Sequence, residues 1–206
     1  MKKNLEHKGS LLGSRSQRTL NQKRADLFQN SFGSIDDKLN SFTPYVSRQN
    51  IAKLVAQYEM IKLTSGILGD IVEAGVYYGS GLMGWANIIA SLEPYNYQCQ
   101  IIGFDTFAGS KGVSKKDQVF DKIKRRDGEY KANSFENLIK SIEIFDEDRP
   151  LSHIDKVKLI KGDIVKTSKN YIKQNPAQTV RILHIGMNIY KPTLYTLKNF
   201  LPRMSK

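Results

Sequence analysis

Four short apolar runs, separated by stretches of helical periodicity, constrain this chain more than any other feature. They are Ile71-Val72-Glu73-Ala74-Gly75-Val76, Ile101-Ile102-Gly103-Phe104, Val157-Lys158-Leu159-Ile160 and Val180-Arg181-Ile182-Leu183-His184-Ile185. Each has the length and the β-branched content of a buried strand. Between them, residues 80–92 carry Leu82, Trp85, Ile88 and Ile89 at helical spacing, and residues 133–145 carry Phe135, Leu138, Ile139 and Ile142. Residues 167–174 read as a short helix, and Pro192 suits the first turn of a last one over 192–204. Strands that alternate with helices in this way predict an α/β fold, a mostly parallel Rossmann-like sheet with helices on both faces. Right-handed crossovers bring the carboxyl ends of all strands to one edge, and ligands bind at that edge where the strand order reverses. The residues just after each strand are therefore the functional candidates.

Upstream, Ser47 can cap a helix in which Ile51, Leu54, Val55, Tyr58 and Ile61 recur at helical spacing, ended by Gly66 and Gly69. Residues 1–45 are polar and aperiodic, and are expected to form a loosely ordered arm with one short helix near residues 22–28. The 206 residues then leave room for one sizeable domain over 46–206. No apolar run approaches the roughly 18 residues needed to span a bilayer, and no signal-peptide core follows Met1, so a cytoplasmic protein is expected. Cys99 has no second cysteine to pair with and reads as a bystander thiol. The net charge of +12 admits nucleic acid or an anionic surface as a partner. The charge is spread along the chain without a basic-aromatic cluster, which predicts a solvated surface and no specific nucleic-acid binding.

The first motif, Glu73-Ala74-Gly75-Val76-Tyr77-Tyr78-Gly79-Ser80-Gly81, is a strand, turn and helix start with three glycines. Glycine permits positive φ and close ligand approach, and the free N–H groups at a helix start suit a carboxylate. A purely structural turn would look the same. The spacing is neither that of a P-loop nor the strict dinucleotide fingerprint, and an acid beside the turn suits a cation better than a pyrophosphate. S-adenosylmethionine, with an ammonium, a sulfonium and a carboxylate but no phosphate, matches these features. A nicotinamide cofactor is the alternative. The second motif is Phe104-Asp105-Thr106-Phe107-Ala108-Gly109; an acid closing the second strand can accept both ribose hydroxyls, or can simply cap a turn. The third is Lys161-Gly162-Asp163-Ile164, where Asp163 can meet the exocyclic amine of adenine with Ile164 against the ring.

These motifs, in this order, resemble the macrocin O-methyltransferase family, class I enzymes that methylate hydroxyls of sugars and related natural products. The likeness starts near Phe42 and runs through Ser47-Arg48-Gln49-Asn50, Gly69-Asp70-Ile71-Val72-Glu73-Ala74-Gly75-Val76, Gly103-Phe104-Asp105-Thr106-Phe107 and Lys161-Gly162-Asp163. It ends in Leu183-His184-Ile185-Gly186-Met187-Asn188-Ile189-Tyr190-Lys191-Pro192-Thr193 and Leu201-Pro202-Arg203-Met204-Ser205-Lys206. The resemblance implies that Glu73, Gly75, Gly79 and Ser80 hold the methionine part of S-adenosylmethionine, with Val76, Tyr77 and Gly81 of the same turn also binding the cofactor. It implies Asp105 at the ribose and Asp163 at the adenine, with Thr106, Phe107 and Ile164 beside them as further cofactor-binding residues. The acceptor would be a small molecule, a sugar or sugar nucleotide. Family members often bind Mg²⁺ near the acceptor, with aspartates where this chain has Gly186 and Asn188; Asn188 is a weak candidate ligand. Family sequences continue into a glycine pair and a fifth strand. The chain is thus expected to be an incomplete sheet whose fourth strand has an unpaired edge open to self-association, or a non-catalytic remnant.

His184, near the end of the fourth strand, is a weak candidate for a general base, since half the possible registers bury it. His153 and His7 have no recognisable partner. Residues 108–132 form a long charged segment that includes Lys122-Ile123-Lys124-Arg125-Arg126. They are expected to be a lid over the acceptor or a solvated loop.

Overall fold

A computed structural model describes residues 15–118 and 125–204. His7, Lys122–Lys124 of the basic segment, and Ser205–Lys206 lie outside the described residues. The described residues fall into two compact units, divided between Ala56 and Gln57.

In the first unit, α1 (Arg15–Asn30) and α2 (Ile35–Asn40) precede a 3₁₀ turn, Thr43–Tyr45, and the start of α3 (Arg48–Leu63). The expected loose arm with one short helix is corrected here: residues 15–45 carry two helices. Local polar contacts, invisible to apolar periodicity, order them. Ser34 and Asp37 form a reciprocal capping box at α2. Lys38 Nζ donates to the Phe28 carbonyl at 2.6 Å while Phe28 packs edge-on against Tyr45. Ser47 caps α3, its Oγ accepting from the Asn50 N–H at 3.2 Å.

The second unit is built on β1 (Asp70–Ala74), β2 (Ile101–Asp105), β3 (Val157–Lys161) and β4 (Val180–Ile185). All neighbours are parallel, in the order β3-β2-β1-β4. The order reverses between β1 and β4, which places the switch point at their carboxyl ends. Among the described residues β4 is an edge strand, touched on its far side by a single parallel bridge from Met204 to Val180.

The alternation of side chains sorts the core into two layers. On one face Ile71, Ile101, Val157 and Ile182 pack with Ile61 of α3 and with α4 (Ser80–Leu92) and α5 (Phe135–Asp148), through Leu82, Trp85, Ile89, Leu138, Ile142 and Phe145. On the other, Val72, Ala74, Ile102, Phe104 and Val180 meet Ile164 and Tyr171 of α6 (Ile164–Gln174) and Phe200 of α7 (Tyr190–Phe200). The expected elements are present, with shifted ends. Asp163 caps α6 and starts it three residues earlier. Asn133, at φ 50°, keeps α5 from starting there. Pro202, lacking an N–H, turns the end of the last helix into the 3₁₀ turn Leu201–Arg203. Among the described residues no helix is long and apolar enough to cross a membrane.

Candidate active site

The chain leaves β1 through Gly75 and Gly79, both at positive φ (93° and 84°), and Tyr77 at φ 57°. At Gly75 the reason is close packing of two backbones. A Cβ there would lie 2.9 Å from Met187 Cγ and 3.1 Å from the carbonyl carbon of Gly186, and one on Gly186 would lie 2.9 Å from the Gly75 oxygen. Gly186 N–H donates to the Ala74 carbonyl and Gly75 N–H to the Phe104 carbonyl, each at 2.8 Å. The floor of the switch point is therefore bare main chain. Gly79 is pressed against Leu138 of α5, and Val76 is a core residue, 3% exposed. Tyr77 and Tyr78 stay exposed, their rings 4.5 Å apart, with Tyr130 at 6.3 Å from Tyr77. Burial, aided by these neighbouring tyrosines, raises the pKa of the Tyr77 phenol. Ser80 is exposed at the start of α4, whose N-cap is Gly79 and has no side chain to occupy the first-turn N–H groups.

Glu73 lies below that first turn. It is 1% exposed, and a Cβ on Gly81 would fall 2.4 Å from its Oε1. The glycine at 81 thus makes room for a carboxylate of the same chain, one that the positive end of the α4 dipole stabilises. In register across the sheet is His184, whose Nδ1 lies 3.1 Å from Glu73 Oε2. That distance is within ion-pair reach, yet the alignment falls short of a hydrogen bond and Oε2 has no other hydrogen-bond partner among the described residues. Trp85 Nε1 approaches the same Nδ1 at 3.5 Å, with the two rings edge to face. One nitrogen cannot both accept from the indole and donate to the carboxylate. The two contacts therefore compete for Nδ1, the indole requiring it as an acceptor and the carboxylate as a donor.

At the end of β2, Asp105 links two motifs. Its Oδ2 accepts from the Tyr77 N–H at 2.8 Å and its Oδ1 from the Phe107 N–H at 2.7 Å. A carboxylate has about four lone-pair sites, so each oxygen keeps capacity for a ligand hydroxyl. Thr106 Oγ1 closes the next turn on the Gly109 carbonyl at 2.6 Å, and Phe107 (φ 53°) buries its ring against Phe135. Asp163 lies beside this site, since Gly162 N–H donates to the Asp105 carbonyl. Its side chain accepts from the Val165 N–H at 3.0 Å as the cap of α6. Ile164 is 4% exposed and packs in the second core layer, so its side chain faces the core and not a ring in the cleft.

Sequence reasoning missed a clasp across this edge. The segment after β2 doubles back on itself through Ser110 N–H to the Glu129 carbonyl at 2.7 Å and Gly128 N–H to the Ser110 carbonyl at 2.8 Å. Its far part reaches the start of α7: Asp117 Oδ1 accepts from the Tyr190 N–H at 2.5 Å, and Lys116 Nζ sits 4.1 Å from the Tyr190 ring centre. Because β1 lies between β2 and β4, this segment passes over the switch point. Partial burial pulls the Asp117 pKa up, but the hydrogen bonds from Ser114 and Tyr190 outweigh it and hold the carboxyl below its ordinary value. The Ser114–Asp117 spacing was readable as a local cap; its long-range partner was not.

The residues do not fit the Mg²⁺ that the resemblance implies. Gly186 offers no ligand and has no space for one. Asn188 is exposed, and no group of three His, Cys, Asp or Glu suited to a metal occurs among the described residues. Cys99 is buried, and burial raises its pKa, as suits an unreactive thiol. His153 is exposed away from these elements.

No protein-family model matches the chain, and no curated protein matches it by sequence. Solved structures do. A crystal structure of CalS11, calicheamicin methyltransferase, is similar at a TM-score of 0.87 and 23% identity, over 94% of this chain and 76% of that one. An apo structure of CalS11, TDP-rhamnose 3'-O-methyltransferase, an enzyme in calicheamicin biosynthesis, gives a TM-score of 0.78 at the same identity and coverage. The chain therefore has the α/β fold of that methyltransferase.

Proposed function

We propose that this chain is an S-adenosylmethionine-dependent O-methyltransferase acting in the cytoplasm on a hydroxyl of a sugar or related natural product. The observation that carries this reading is Asp105: a strand-end carboxylate tied by backbone N–H groups to the glycine turn, beside the switch point of a fold shared with CalS11. In this reading Asp105 takes the ribose hydroxyls, and Asp163 lies toward the adenine. The turn at residues 75–81 and the first-turn N–H groups of α4 take the methionine carboxylate. Glu73, being buried, acts on the ammonium as a fixed negative charge below the turn. The bound sulfonium supplies an activated methyl group for direct displacement, and the protein's contribution is alignment of donor and acceptor. Exposed Tyr77, Tyr78 and Tyr190 offer aromatic faces to a sugar ring, and Lys111, Lys116 and Lys191 nearby in sequence suit the phosphates of a sugar nucleotide. No step is assigned to a metal.

Calorimetry with S-adenosylhomocysteine on the natural chain and on Asp105→Ala tests the reading. Binding by the first and at least about tenfold weaker binding by the second, the effect of roughly 1.4 kcal/mol, is expected. Equal affinity would remove the ribose assignment, and tight binding of NAD in its place would favour a nicotinamide enzyme.

A further inference from the structure

Transfer to a hydroxyl requires something to take its proton, and the residues present do not fit a metal for that task. His184 and Glu73 are the penultimate residues of β4 and β1, directly paired across the switch point. The His184 side chain is 30% exposed while that of Glu73 is 2% exposed. The imidazole therefore has one nitrogen, Nδ1, beside the buried carboxylate while part of the ring stays exposed. On this face α4, which supplies Trp85, contains no ionisable side chain, and Arg181 on β4 is committed to Glu93 through two hydrogen bonds of 2.8 and 2.9 Å. The charged residues of the other helices packed here include Lys53, Glu59 and Lys62 on α3 and Glu136, Lys140 and Glu143 on α5. A carboxylate that is fully buried with an unfilled oxygen is costly. It is retained at low cost where a neighbouring imidazole turns its N–H, or a newly acquired positive charge, toward it.

We infer that His184 is the general base for the acceptor hydroxyl, and that Glu73 is its positioning residue, fixing the proton on Nδ1 so that Nε2 is free to accept. This rests on the methyltransferase reading. In the step, the acceptor oxygen forms a new O–C bond to the methyl group of the sulfonium donor. The C–S bond breaks with its electron pair going to sulfur, which becomes a neutral thioether. The hydroxyl proton passes to Nε2, and the Glu73 carboxylate balances the imidazolium until the proton returns to solvent.

The test has two arms. In the first, long-range ¹⁵N–¹H spectra of the natural chain with S-adenosylhomocysteine report the His184 tautomer, without any acceptor. The expected result is a proton on Nδ1 in the natural chain and its transfer to Nε2 in Glu73→Gln. A proton fixed on Nε2 in the natural chain would overturn the assignment. In the second arm, methylation of TDP-rhamnose is followed against pH in the natural chain, His184→Asn and His184→Gln, with thermal melts as the check on folding. Loss of about 100-fold or more in kcat with unchanged S-adenosylhomocysteine affinity, and loss of the acid limb of the pH profile, is expected. Undiminished turnover in a folded variant would sink it. Failure of the natural chain to bind S-adenosylhomocysteine refutes the methyltransferase reading instead, and with it the base.

Discussion

Gly81 shows how a single residue can carry two readings. In the sequence it looks like a glycine kept small for a ligand; in the fold its missing Cβ is the space occupied by the Glu73 carboxylate. Gly81→Ala would force that carboxylate, or the first turn of α4, to move. Overpacking of this kind costs about 1–3 kcal/mol, which chemical denaturation would register as a lower midpoint. An unchanged midpoint would mean that Glu73 is free to swing away, and would remove the argument that it is fixed. The glycine at 75 has a different reason, the contact of two main chains, and the pattern of small residues does not distinguish the two.

At the scale of elements, the strands and the helices of the sheet unit were legible because burial imposes their periods. Leu82, Trp85 and Ile89 had to face Ile71 and Ile101 for α4 to cover the sheet, and they do. Residues 15–45 were not legible, because their helices rest on capping and on a lysine held by a carbonyl, interactions that leave no apolar period. The site was legible in part: Asp105 and the turn after β1 were found together, as expected from topology, but Ile164 turned inward. The clasp between the loop and α7 was invisible, since nothing in a sequence announces that Asp117 meets the N–H of a residue 73 positions later. Asp117→Ala should free that N–H. Hydrogen exchange at Tyr190 is then expected to quicken while exchange within β1 stays slow; equal protection at Tyr190 in both proteins would show that the clasp is not what closes this edge.

For the molecule as a whole, charge buried at the opposite edge of the sheet sets the response to acid. Arg181, its side chain 1% exposed, holds Glu93 at 2.8 Å, and its Nε donates to Thr64 Oγ1 at 2.9 Å. The hydrogen bond from Arg181 keeps the Glu93 pKa below its ordinary value. A depressed carboxyl pKa adds stability above the unfolded value, and that stability is lost as pH falls through the folded one. Asp70 works the other way: burial raises its pKa, so its contribution is present at low pH and is lost as pH rises through its folded value. Glu93→Gln is therefore expected to lower stability at neutral pH by about 1–3 kcal/mol, the scale of a lost hydrogen bond that leaves a buried charged partner unfilled. It should also flatten the acid limb below about pH 4. Urea melts at several pH values would measure both, and parallel stability curves for the two proteins would show that other carboxylates govern the acid response.

The bare floor between β1 and β4 also bears on how this scaffold could change. At Gly75 and Gly186 the two strand exits touch through main-chain atoms, so neither position can take on a side chain without parting the sheet. Variation that leaves the framework intact is confined to the rim: to Tyr77 and Tyr78, to the doubled segment that carries Asp117 and Tyr130, and to the start of α7 at Tyr190. A library that randomised those rim positions would vary what this edge can hold while leaving its framework intact. One that randomised the floor would mostly yield chains that no longer assemble.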